Sequence, residues 1–155
     1  MGLALTGHPH LDGQCFAGQH RAQIGAEARR EQVDPLRIVE IEAVKTLMDA
    51  GIIVITVGGG GIPVVADENG DLKGVAAVID KDLASALLAK ELDADLLLIS
   101  TAVEKVALRF GHPDQEWVDR MTLAEVKQYL AEGTHFAEGS MAPKMRAVVQ
   151  FLEAG

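Results

Sequence analysis

Cysteine, aromatic residues and positive charge are all scarce in this sequence, and each shortage narrows what the chain can be. The single cysteine, Cys15, rules out a disulfide within the chain and fits a reducing compartment. Aromatic residues make up only 4% of the 155 residues, so Val, Ile, Leu and Ala must fill the core. Lys and Arg number 14 against 23 Asp and Glu, a formal net charge of -9. A nucleic-acid footprint needs a basic face, so no nucleic-acid partner is expected, although a local basic pocket for a phosphate is still allowed. No apolar run approaches the roughly 18–20 residues of a membrane span. The opening "MGLALTGHPH" is too short and too polar for a secretory signal. These absences lead to the expectation of a soluble cytoplasmic protein of one domain with no membrane partner.

What is present divides at Pro35. Residues 1–34 carry scattered Gly, His and Gln with weak apolar periodicity and read as a loosely ordered leader. His8, His10, Cys15 and His20 lie there, but their spacing matches no tight zinc template, and no metal ligand is assigned. A short helix is expected in "IGAEARREQ". From Pro35 on, order improves. Ile38, Ile41, Val44, Leu47 and Met48 fall on one helical stripe, with Pro35 suited to its start and Gly51 to its stop. "IIVITV" (52–57) and "LLLIS" (96–100) read as strands buried on both faces, as in parallel sheets. Asn69-Gly70 is a type I′ hairpin signal. A helix is expected from about Asp82 to Leu92, and "KVALRF" reads as a further strand. Thr122 with Glu125 makes a capping box for a helix through Leu130. Ser140 and Pro143 open a last helix. Helices alternating with buried strands predict an α/β layered fold with a mostly parallel sheet.

The chemistry centres on "TVGGGGIPVV" (56–65). A dinucleotide fingerprint needs a helix right after its glycines, but Ile62-Pro63-Val64-Val65 reads as extended chain. No Gly-Lys-Ser/Thr follows, so a Walker A loop fails as well. What remains is a glycine loop at the carboxyl end of a buried strand, where ligands of open α/β sheets bind; the plainer alternative is a tight crossover. Lys81 and Lys144 each lie near a predicted helix start, where free N–H groups favour an anion. The simpler reading of each is a solvated surface lysine.

Taken together, "TVGGGGIPVV", "GVAAVIDKDLAS", "HFAEGSMAPKM" and "VVQFLE" closely resemble carbamate kinase, of the amino acid kinase superfamily, from about Pro35 onward. The resemblance implies a three-layer α/β sandwich of that type, here incomplete. It implies reversible phosphoryl transfer between ATP and carbamate, giving ADP and carbamoyl phosphate with Mg2+, by a cytoplasmic homodimer of arginine metabolism. On this resemblance Gly58, Gly59, Gly60 and Gly61 face the transferring group, and Lys81 contacts phosphate oxygens. Asp82 orients the lysines and Lys144 reaches the nucleotide phosphates. Thr101, Val103 and Val106, with Ser140 and Met141, line the nucleoside side. Full-length members are about twice as long, and their amino-terminal half is not recognisable in residues 1–34. The resemblance is therefore to the carboxyl-terminal nucleotide-binding half, residues 35–155. Two function classes follow: a phosphotransferase of carbamate kinase type, and a non-catalytic nucleotide-binding fragment that needs a missing amino-terminal half. A uridylate or acetylglutamate kinase fits the glycine loop's position but not the wording of "GSMAPK".

Overall fold

A computed structural model of the chain describes residues 2–5, 15–16 and 31–155. His8, His10 and His20 lie outside the described residues, as does most of "IGAEARREQ", whose last two residues belong to a strand. The main sheet contains β1 (Gly2–Leu5), β2 (Cys15–Phe16), β4 (Pro35–Ile38), β5 (Ile62–Ala66) and β6 (Leu72–Gly74). Its order is β2-β5-β1-β4, with β6 also pairing β5. β1 runs parallel to β5 and antiparallel to β4, whereas β2 and β6 are antiparallel to β5. β3 (Glu31–Val33) pairs in parallel with β7 (Ala77–Ile79). β8 (Val106–Leu108) and β9 (Glu116–Val118) form a separate antiparallel pair. The α/β architecture is as expected, and the pairings among the described residues are mixed.

Four helices are described: α1 (Ile41–Asp49), α2 (Lys81–Glu91), α3 (Leu123–Glu132) and α4 (Met141–Leu152). α2 and α4 pack through Leu83, Ala86 and Ala147, all buried, with Phe151 beside them. Small residues at this contact let the two backbones approach closely. Burying Leu83 contributes about 2 kcal/mol. A second cluster joins Ile38, Val57, Ile79 and Ala84, and a third joins Leu108, Val126, Phe136, Ala142 and Met145. Thr122 and Glu125 form the expected reciprocal capping box, and α3 closes on Gly133 at φ 67°.

Three local expectations are corrected. The helical stripe begins at Ile41, not Pro35: Pro35–Ile38 is β4, because proline is tolerated at a strand's first residue. Gly51, at φ 76°, does stop α1. The β5–β6 hairpin is real, but its turn is not the two-residue type I′. That turn needs positive φ at both central residues, and only Gly70 has it. Asp67 Oδ1 instead accepts from the N–H groups of Asn69 and Asp71 at 2.9 and 3.0 Å and organises a longer loop. Finally, 52–56 and 96–100 carry no regular secondary structure and form no ladder, and Ile53, Ile55, Leu96 and Leu98 are 94, 98, 74 and 83% exposed.

Glu91, in the last turn of α2, gives a pH-dependent prediction. Burial raises its pKa above the ordinary 4.5, against the lowering influence of the Ile38 backbone bond and of Lys45, Arg37 and Lys90. The folded chain therefore holds this proton more tightly than the unfolded chain. Glu91 costs stability above its raised pKa, and the cost fades as pH falls toward the ordinary value. Glu91→Gln removes this dependence. Urea denaturation should show the wild type gaining stability relative to the variant as pH falls from 7 to about 4.5. A pH-independent difference between the two would contradict this account of Glu91.

Candidate functional site

The site is assembled where the glycine loop meets the start of α2. Asp80 caps α2, its Oδ1 accepting from the N–H groups of Asp82 and Leu83 at 2.7 and 3.3 Å. Those two donors are thus taken, so an anion here must be held by side chains rather than by a bare helix end. Asp82 is buried, at 6% exposure. Lys144 Nζ donates to both of its carboxylate oxygens, at 3.2 and 3.0 Å, across 62 residues of sequence. Lys81 Nζ stands 3.5 Å from Oδ2. The Lys144 side chain is 16% exposed and that of Lys81 57%. One buried carboxylate therefore holds two ammonium groups, one fixed and one free to swing, with a net positive charge left over.

Above this cluster runs the loop 57–61. Val57 has φ 66° although it is β-branched, a strained conformation for such a residue. Its burial against Ile38 and Ile79 holds it there. Gly60 has φ 124°, and a Cβ on it would sit 2.1 Å from the Ile79 carbonyl oxygen and 3.5 Å from the Lys81 nitrogen. The loop thus lies directly on the backbone that leads into α2. Within it, the Gly58 N–H bonds the Thr56 carbonyl and the Gly60 N–H that of Val57. Two of the four glycine amides are therefore engaged inside the loop rather than offered to a ligand. Gly58, Gly59 and Gly61 line an open depression of about 500 Å³ with Ile55 and Ile62.

On the other side of Lys144 lies a mostly apolar cavity of about 240 Å³. Thr101, Val103, Ser140 and Met141 line it, together with Lys144 itself. Val106 does not; it packs with the Leu108 cluster instead. Ser140 precedes α4 without making a side-chain cap. Sequence reasoning missed Lys105, Phe110 and His135, which also line the cavity. His135 is buried, and its Nε2 lies 2.6 Å from Glu132 Oε2. The Tyr129 ring stands 4.7 Å from its own. Its place directly before "FAEGSMAPK" was the one available signal. Among the described residues no three His, Cys, Asp or Glu side chains are grouped to hold a metal ion.

A glycine loop, a lysine–aspartate–lysine cluster and an apolar cavity thus lie side by side in an α/β protein. Comparison with known proteins gives the family. The model of the amino acid kinase family matches residues 5–155, and the chain belongs to that family. It is 56% identical over 120 residues to the carbamate kinase-like protein YqeA of Escherichia coli, a match covering 77% of this chain and 38% of that protein. It is 55% identical over 122 residues to the carbamate kinase of Clostridium perfringens, covering 78% and 38%. The solved structure of Giardia lamblia carbamate kinase bound to AMP-PNP superposes with a TM-score of 0.76 at 43% identity, covering 79% of this chain and 42% of that one. The fold class is thus that of the amino acid kinases, in part. The chain spans about two fifths of the length of these relatives.

Proposed function

We propose that residues 35–155 are the carboxyl-terminal, nucleotide-binding part of a carbamate kinase-type phosphotransferase, which moves a phosphoryl group between ATP and carbamate. The observation that carries this reading is the Lys81–Asp82–Lys144 cluster beneath the glycine loop, next to an apolar cavity. The base of ADP or ATP occupies the cavity lined by Thr101, Val103, Ser140 and Met141, which has the size of a base rather than of a whole nucleotide. The phosphates then extend past Lys144 toward Lys81. Phosphoryl transfer asks a protein mainly for in-line positioning and for cations on the equatorial oxygens. Lys144 supplies a fixed cation, Lys81 a mobile one, and Asp82 orients both rather than acting as a base. Both Asp82 oxygens face ammonium groups, so Mg2+ enters on the nucleotide phosphates as part of the substrate, where it neutralises charge. The cytoplasmic, homodimeric and arginine-metabolic setting belongs to the same reading.

A second reading, nucleotide binding without turnover by this chain alone, is favoured by the 38% share of the relatives that the match covers and by the bare faces of 52–56 and 96–100. The two are separated by following ATP formation from Mg-ADP and carbamoyl phosphate with luciferase, alongside equilibrium binding of Mg-ADP. ATP formation above the protein-free background carries the first reading. Saturable binding without ATP carries the second. Neither binding nor turnover overturns both.

A further inference from the structure

The runs 53–56 and 96–100 have the alternating burial of strands but only one covered side. Leu97 and Ile99 pack onto Leu83, Ala86 and Ala147 of α2 and α4, while Leu96 and Leu98 between them are 74 and 83% exposed. Val54 and Thr56 are half-buried, while Ile53 and Ile55, which alternate with them, are 94 and 98% exposed. A strand puts successive side chains on opposite faces, so each run has an inner face on the core and an outer face in water. Neither 52–56 nor 96–100 is paired in a ladder among the described residues. No charged residue falls in 52–66 or 96–103, although charges are a usual guard of an exposed sheet edge. Continuous β-branched and leucine runs of this kind occur where strands are covered on both sides, and an apolar face of this extent marks an interaction surface.

We infer that this face is the seat of the part of the amino acid kinase fold that lies outside this chain. The arriving part contributes strands that pair with 53–56 and 96–100 and helices that cover Ile53, Ile55, Leu96 and Leu98. About three fifths of each matched relative has no counterpart in the match, which supplies an occupant of sufficient length. The runs' lack of charge also fits a neighbour from a protein interior better than a polar partner. The inference rests on family membership and not on the phosphotransfer reading.

The test is co-expression of the full chain with a tagged probe: the part of the Clostridium perfringens carbamate kinase that lies outside its match to this chain. The expected result is a soluble one-to-one complex in which the amides of 53–56 and 96–100 become protected from hydrogen exchange. Ile55→Glu and Leu98→Glu should weaken that complex at least tenfold. Because both side chains are exposed, the same substitutions should leave the urea midpoint of the chain alone unchanged. Failure of the chain to hold the probe in solution overturns the inference, as does a complex indifferent to both substitutions. Homodimers that the substitutions disrupt, in place of the mixed complex, would assign the face to a second copy and overturn it equally. No readout uses nucleotide, so a failure of Mg-ADP binding would count against the proposed function without touching this result.

Discussion

Lys144→Ala is expected to lower both stability and nucleotide affinity, by two separable routes. The substitution leaves the Asp82 carboxylate buried, with only Lys81 at 3.5 Å to answer it. A stranded buried charge of this kind costs about 2–3 kcal/mol, at the lower end here because the exposed Lys81 can move closer. The loss is read from urea denaturation. The second route is the missing cation at the phosphates, expected to weaken Mg-ADP binding at least tenfold, or about 1.4 kcal/mol. The double variant Asp82→Ala/Lys144→Ala separates the two. With no carboxylate left unpaired it should regain much of the stability, but none of the affinity. Recovery of affinity in the double variant would show that Lys144 serves the fold alone.

Gly60→Ala is expected to cost more than Gly58→Ala or Gly59→Ala, about 3–4 kcal/mol of lost stability. Two causes act together. The φ of 124° disfavours any L side chain, and the added Cβ would lie 2.1 Å from the Ile79 carbonyl oxygen and 3.0 Å from its carbon. Both contacts are with backbone, so no flexible side-chain end can yield. Gly59→Ala is the contrast. Its Cβ would meet nothing within 4 Å, so stability should stay within about 1 kcal/mol of the wild type. An affinity loss in Gly59→Ala without a stability loss would mark the tip of the loop as the point of closest ligand approach. Equal stability of the two variants would contradict the packing described for Gly60.

The parts of the fold that local chemistry decides were legible in the sequence. The Thr122–Glu125 box, the Gly51 and Gly133 stops and the extended chain after the glycines all depend on residues a few positions apart, and all stand as read. What depends on distant partners was not legible. "IIVITV" and "LLLIS" were read as buried strands from composition, yet a strand exists only within a ladder, and neither run forms one among the described residues. Pro35 was compatible with both a helix start and a strand start, and the β1 pairing decided between them. At the site, the resemblance implied that Asp82 orients Lys81 and Lys144. That Lys144 would close on Asp82 across 62 residues follows from α2 packing on α4, which no local pattern encodes. Phe110 and His135 were missed for the same reason: they reach the cavity only once β8–β9 and α3 are placed around it.

The central claim is that Lys81 and Lys144, gathered by Asp82 beneath the glycine loop, form the phosphate-binding half of a nucleotide site. Phosphorus NMR of ADP with magnesium, titrated with the chain, tests it most directly. The account predicts that the β-phosphate resonance shifts and saturates with the wild type. It predicts that Lys144→Ala abolishes the shift and that Lys81→Ala reduces it. An unmoved β-phosphate, or a shift that neither substitution alters, would contradict it.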